Sequence, residues 1–182
     1  MAVWYVSSAK YATVTARANS TAYVIGDIRR QGPGTPTVGQ ERVFRCTTAG
    51  TSSATEPTVA NYVGSNTTRG GTVTDGTVTW TEITGNSTYG WTAPHGTLTG
   101  GLNQTNTAGD TYYVDSGHAE SSTTQPKSLS TLGSNTAPLH IYCVNSSAAP
   151  PTRQSTLPFP RRCGHAFPPW QYNSPQMPCD PA

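Results

Sequence analysis

The stretch from Thr72 to Trp80 reads TVTDGTVTW, two runs of alternating threonine and valine joined by Asp75-Gly76. Alternation of period two fits a strand and not a helix. Asp-Gly between two such runs signals a hairpin closed by a two-residue type I′ turn. This reading sets Thr72, Thr74, Thr77 and Thr79 on one face and Val73 and Val78 on the other. The valine face must bury against something, and Phe44 and Trp80 are the expected partners, which makes Trp80 a core residue before it is a ligand platform. The rest of the chain uses the same alphabet. Charged residues are 11% of it, against about 25% in an ordinary domain, and Thr, Ser, Gly, Asn and Pro fill the gap. Threonine is β-branched and sits well on a pleated surface, and no stretch carries an apolar repeat at helical spacing. The expectation is an all-β protein.

The same composition narrows the partners. Net charge is +2, and the pairs Arg29-Arg30 and Arg161-Arg162 are too small for the clustered stripe that nucleic acid requires. No run of about 20 apolar residues exists to span a membrane. The start, MAVWYVSSAK, lacks the basic and long apolar regions of a secretion signal and reads as a first strand. Of the four cysteines, Cys46 and Cys143 lie in apolar strand-like runs (RVFRCTT and LHIYCVN) and are expected as buried free thiols. Cys163 and Cys179 lie in a proline-rich tail and would bridge only in an oxidising compartment. No cofactor is called for.

Texture separates four segments, at about 2–16, 21–83, 90–146 and 148–182; the resemblances described below join the first and third into a β body (1–17 and 86–147) around a small β module (18–85), with a C-terminal arm at 148–182. In the body, AVWYV, YATVTA, AGDTYYVDSGHAE and PLHIYCVNSS read as strands and turns. The arm holds nine of the fifteen prolines. Proline lacks the ladder donor, so the arm cannot enter a sheet interior. It nonetheless keeps Phe159, Phe167, Trp170 and Tyr172, which a merely solvating linker does not need, and these are the candidate interface anchors.

Two resemblances follow from these segments. YVIGDIRR, RVFRC, TTAGTSSATEP and GGTVTDGTVTWTEI, in that order, resemble a small β module of bacteriophage structural proteins that is akin to chitin-binding-type carbohydrate modules. AGDTYYVDSGHAE followed by APLHIYCVNSS resembles the opening turns of right-handed parallel β-helices in phage virion proteins, a family that begins with a strand like WYVSSA. The resemblance implies a short β-helix-like or β-sandwich body, with the small module inserted between its first strand and the rest. A full spike body of many further coils is not expected, because RRCGHAFPPWQYNSPQMPCDPA matches nothing in the β-helix pattern.

Candidate chemistry is sparse. Asp115, His118 and Glu120 cluster in VDSGHAE, at a spacing that is no known ligand set, where a strand end leads into a turn. Cys163, His165 and Cys179 offer three soft ligands but lack a fourth. Asp27 and Glu56 are a conceivable carboxylate pair, more simply explained as turn residues. No catalytic or metal residues are therefore expected, and the protein is read as no enzyme. Aromatic residues are the better candidates. Trp91, Tyr89 and Tyr62 are the candidates for a glycan site or an interface, and Trp91, in a turn-rich stretch, is the one expected to be exposed. The reading is a capsid decoration or cement protein on the phage particle surface, made in the host cytoplasm. Its expected partners are the major capsid protein or other virion proteins and further copies of itself, a trimer by analogy. The alternative is a carbohydrate-binding or attachment module of a tail fibre or spike.

Overall fold

The computed structural model describes residues 2–59, 62, 70–102, 107–120 and 137–147, together with the backbone of Thr152–Arg153. Apart from that last strand, the arm lies outside the described residues, and with it Phe159, Cys163, His165, Phe167, Trp170, Tyr172 and Cys179. Strands in three sheets dominate, with two short helices and one 3-10 turn among the described residues.

The middle of the chain builds an antiparallel sheet from β3 (Ile28–Arg30), β4 (Val43–Thr48), β6 (Thr72–Asp75) and β7 (Val78–Glu82), in the order β3-β4-β7-β6. A two-stranded ribbon, β2 (Ala22–Tyr23) with β5 (Gly50–Thr51), lies beside it. The β6–β7 hairpin forms as the alternation dictates. Thr72 pairs with Thr81 and Thr74 with Thr79, while Val73 pairs with Trp80 and Asp75 with Val78 on the buried face.

The turn sits one residue later than the sequence predicts. Asp75 is the last residue of β6, and Gly76-Thr77 form the loop. Gly76 takes φ +65° and Thr77 is not in the left-handed region, the pattern of a type II′ turn with glycine first. A Cβ at Gly76 would also strike the Thr51 carbonyl oxygen. The cause of the shift lies beneath the sheet, where Asp75 is 1% exposed and Arg17 is 2% exposed. Arg17 donates to both Asp75 oxygens, from Nε at 2.9 Å and from Nη2 at 2.7 Å. The same carboxylate accepts the Trp80 indole N–H at 3.0 Å and the Ser53 amide at 2.9 Å. Arg17 also reaches Asn19 and the carbonyls of Ser53 and Thr55.

Around this pair Tyr23, Phe44, Cys46, Tyr62, Val73, Val78 and Trp80 form one apolar cluster. Tyr23 meets Trp80 edge-on at 4.9 Å, and Phe44 stacks on Tyr62 at 5.0 Å. Trp80 is thus core, as expected. Val43 faces the other side of the sheet, where it packs with Tyr11, Ile83 and Ala93.

Segments before and after the central sheet in sequence make a second sheet. β1 (Val3–Val6), β8 (Thr111–Asp115) and β9 (His140–Asn145) run parallel and in register, so that Trp4, Tyr112 and Ile141 form one column, Tyr5, Tyr113 and Tyr142 the next, and Val6, Val114 and Cys143 a third. Val6, Tyr112 and Val114 are buried with Leu102 of α2 (Leu98–Leu102). β10 (Thr152–Arg153) flanks β9 antiparallel, at Val144 and Asn145. Because β9 is the outer parallel rung, Ile141 is 38% exposed and Cys143 is exposed. The expectation of two buried thiols therefore holds for Cys46 alone.

One segment read as strand is helical. YATVTA lies partly in α1 (Ser8–Thr13). Ser7 caps this helix by accepting the Lys10 amide at 3.1 Å, and Tyr11 is its buried residue. A cap and one anchored ring outweigh a short alternating pattern whose valine and threonine disfavour helix only slightly.

Removing Arg17 leaves the Asp75 charge buried and unpaired. Arg17→Met is expected to cost about 3–5 kcal/mol, and Trp80→Ala about 3–5 kcal/mol. Since both residues bind one carboxylate, the double variant should depart from additivity. Urea-unfolding midpoints check all three.

Candidate functional site

The cluster in VDSGHAE is tied into the frame of the fold. The Asp115 carboxylate accepts the Ser7 hydroxyl at 2.7 Å and the Gly117 amide at 3.3 Å. The amide of Ser8 donates to His118 Nδ1 at 3.1 Å, which leaves the ring proton on Nε2, 3.2 Å from Glu120 Oε2. Glu120 in turn accepts the Leu98 amide at 2.7 Å and the Thr99 amide at 3.3 Å, so its carboxylate caps α2. The imidazole faces the backbone of Ser8, and the Ser8 hydroxyl instead accepts the Ala119 amide at 3.1 Å. These residues stitch the start of α1, the exit of β8 and the start of α2 together. Burial alone would raise the Asp115 carboxyl, but the hydrogen bonds from Ser7, Ser146 and Gly117 outweigh it and hold the group below the usual range. Glu120 behaves likewise, its burial outweighed by Thr99, Leu98 and His118.

The other carboxylates are turn residues. Asp27 accepts the Val24 amide at 3.1 Å and lies 3.6 Å from Arg29, while Glu56 accepts the Gly34 amide at 3.3 Å.

The aromatic residues divide. Tyr62 is 1% exposed, and its hydroxyl donates to the Gly32 carbonyl at 2.7 Å while accepting the Gly32 amide at 2.9 Å. It is a core ring, which corrects its place among the glycan or interface candidates: at 1% exposure nearly none of the ring is open to a partner. Tyr89 is half-buried against the Tyr11–Val43 cluster. Trp91, in the 3-10 turn Gly90–Thr92, is half-buried, its indole meeting Tyr5 edge-on at 4.9 Å.

That contact starts a row. From Trp91 the rings run across the parallel sheet through Tyr5 and Tyr113, 5.8 Å apart, to Tyr142 a further 6.1 Å on, with His140 stacked at 5.8 Å. All five side chains are half-buried. The register produces the row, since Tyr5, Tyr113 and Tyr142 occupy one column and neighbouring strands lie about 4.8 Å apart. Tyr113, Tyr142 and His140 escape a reading that takes one segment at a time. The signal is a shared pattern, an apolar or aromatic residue, then tyrosine, then an apolar residue, in WYV, YYV and IYC. Half-exposed Tyr and Trp give large contact area at small entropic cost and suit a binding surface, although the Trp91 indole nitrogen itself is buried and takes no partner among the described residues.

Comparison with protein-family models, curated proteins and solved structures finds no match for this chain.

Ser7 both caps α1 and binds Asp115, so Ser7→Ala is expected to cost about 1–3 kcal/mol at neutral pH. A carboxylate whose folded pKa is depressed stabilises above its unfolded pKa, and the gain is lost as pH falls through the folded value. The deficit of Ser7→Ala should therefore shrink as acid protonates Asp115, leaving the cap term. Thermal melts between neutral and strongly acidic pH read this directly.

Proposed function

We propose that the protein is a non-enzymatic virion structural protein of a bacteriophage, a decoration or cement protein that stabilises the shell through subunit contacts. The observation that carries this reading is the half-exposed row of Trp91, Tyr5, Tyr113 and Tyr142 across a sheet in a chain with few charges. Interfaces favour Tyr and Trp at their energetic centres and disfavour charge there. The in-register pairing of β1, β8 and β9, with the 18–85 module contributed between β1 and β8, supports a short β-helix-like body carrying an insertion. In this reading the major capsid protein or another virion protein covers the row. The proline-rich arm lies across an adjacent subunit with Phe167 and Trp170 as anchors and Phe159 and Tyr172 beside them, and the copies assemble as a homo-oligomer, by analogy a trimer, on the particle surface.

A second reading rests on the same rings. Aromatic faces stack on pyranoses, and the row favours an attachment module of a tail fibre or spike that binds a surface glycan.

Subunit copy number per purified particle separates the two, since a decoration protein is present in hundreds of copies and a tail protein in few. Deleting the residues after Ser155 is expected to leave a soluble protein that is lost from particles more readily. Tyr113→Ser with Tyr142→Ser should preserve the fold and lower occupancy. Normal occupancy and unchanged particle heat resistance in both variants would remove the decoration reading.

A further inference from the structure

A cavity of about 460 Å³ opens between α1, β3, the loop before β4, the entry to α2 and the exit of β8. Its polar wall includes Ser8, Tyr11, Arg30, Glu41, Thr97 and Glu120, and its volume falls within the range of small-ligand sites. The charges on this wall are not equally engaged. Glu120 is committed to the α2 amides and His118. Arg30 donates from Nε to the Val14 carbonyl at 3.0 Å, with its Cζ 5.9 Å from the Tyr11 ring centroid. Its two terminal amino groups donate to nothing among the described residues.

Glu41 is the complement. It is 8% exposed, and its Oε2 accepts the Gly39 amide at 2.8 Å and the Thr97 hydroxyl at 2.9 Å. Oε1 takes no hydrogen bond from another residue, and no ion pair reaches the carboxylate among the described residues. Burial pushes its carboxyl up by more than its own amide, Thr97, Gly39 and the nearby Arg42 charge pull it down. Tyr11 is also 8% exposed, and its buried hydroxyl has no hydrogen-bond partner. One cavity thus carries a guanidinium with free donors, a buried carboxylate with no ion-pair partner among the described residues, and an unsatisfied hydroxyl, and the two opposite charges do not neutralise each other.

We propose that this cavity binds the zwitterionic head group of an α-amino acid, with Arg30 receiving its carboxylate and Glu41 and the Tyr11 hydroxyl receiving its ammonium. A guanidinium suits a carboxylate through paired N–H donors. A desolvated carboxylate gains most from a cation that also brings hydrogen bonds. The site is separate from the aromatic row and does not depend on what covers that row.

Titration calorimetry and amide chemical shifts on the full chain test the site with four probes: glycine, Nε-acetyl-lysine, N-acetylglycine and glycine methyl ester. At least one of the first two, which keep both charges, is expected to bind. Each of the last two, which lack the ammonium or the carboxylate, should bind roughly tenfold or more weakly. Glycine binding identifies a free amino acid as sufficient, and binding of Nε-acetyl-lysine alone identifies a head group carried on a longer stem. Glu41→Gln keeps shape and removes charge, and is expected to fold and to lose affinity by a similar factor, as is Arg30→Met. If Arg30→Met fails to fold, the probe series and Glu41→Gln decide. The proposal is overturned if neither zwitterion binds at about 10 mM, if N-acetylglycine or the methyl ester binds as tightly as the zwitterions, or if Glu41→Gln binds as the parent does.

Discussion

The ion pair between Arg17 and Asp75 is the contact on which the central sheet depends. Two charges taken out of water cost several kcal/mol each unless hydrogen bonds replace the lost hydration. Here the replacement is thorough: the carboxylate holds a guanidinium, an indole and an amide, and the guanidinium also holds two carbonyls. Four chain segments are fixed by one pair: Arg17 with Asn19, the loop at Ser53–Thr55, the end of β6 at Asp75 and the ring of Trp80. An apolar substitute of equal volume would offer no such directional constraint. The pair specifies where the hairpin must end, and that is why the turn falls on Gly76-Thr77.

Much of the architecture was legible in the residues because period-two alternation leaves little choice. Val73, Val78 and Trp80 share a face in both the reading and the structure, and Phe44 covers them. What escaped was long-range. Asp75 reads as a turn residue because Asp-Gly is a turn dipeptide, and nothing near it announces an arginine 58 positions upstream. The α1 helix escaped because its signal was a single capping serine, against a run that alternates. Tyr62 was a candidate for a glycan site or an interface, yet it stacks on Phe44 inside the core. The tyrosine column needed the strands to be aligned with one another, and parallel pairing between distant strands has no local signature.

The structure keeps its two half-exposed features apart. The row of rings lies across the parallel sheet and is nearly free of charge, whereas the cavity is lined by charged groups and lies between that sheet's helices and the central sheet. The network of Ser7, Ser8, Asp115, His118 and Glu120 joins the sheets' surroundings and fixes the walls of the cavity. Histidine 118 is held there in one tautomer by a backbone donor, so its role is to brace the wall.

The pairing of Val3 with Thr111 has a consequence for synthesis. β1 leaves the ribosome more than a hundred residues before β8, the strand it pairs with. At about 5–20 residues per second, the first strand waits on the order of 5–20 s with a tryptophan, a tyrosine and two valines unpaired. The central sheet, all of whose strands lie between Ile28 and Glu82, can fold in that interval and draw β1 and β8 toward each other, which reduces the chain entropy that the late parallel pairing must overcome. The order of the segments along the chain thus sets a timetable: the nascent protein is most exposed to mispairing before β8 emerges, and a chaperone or a slow codon in that window would act on β1 first.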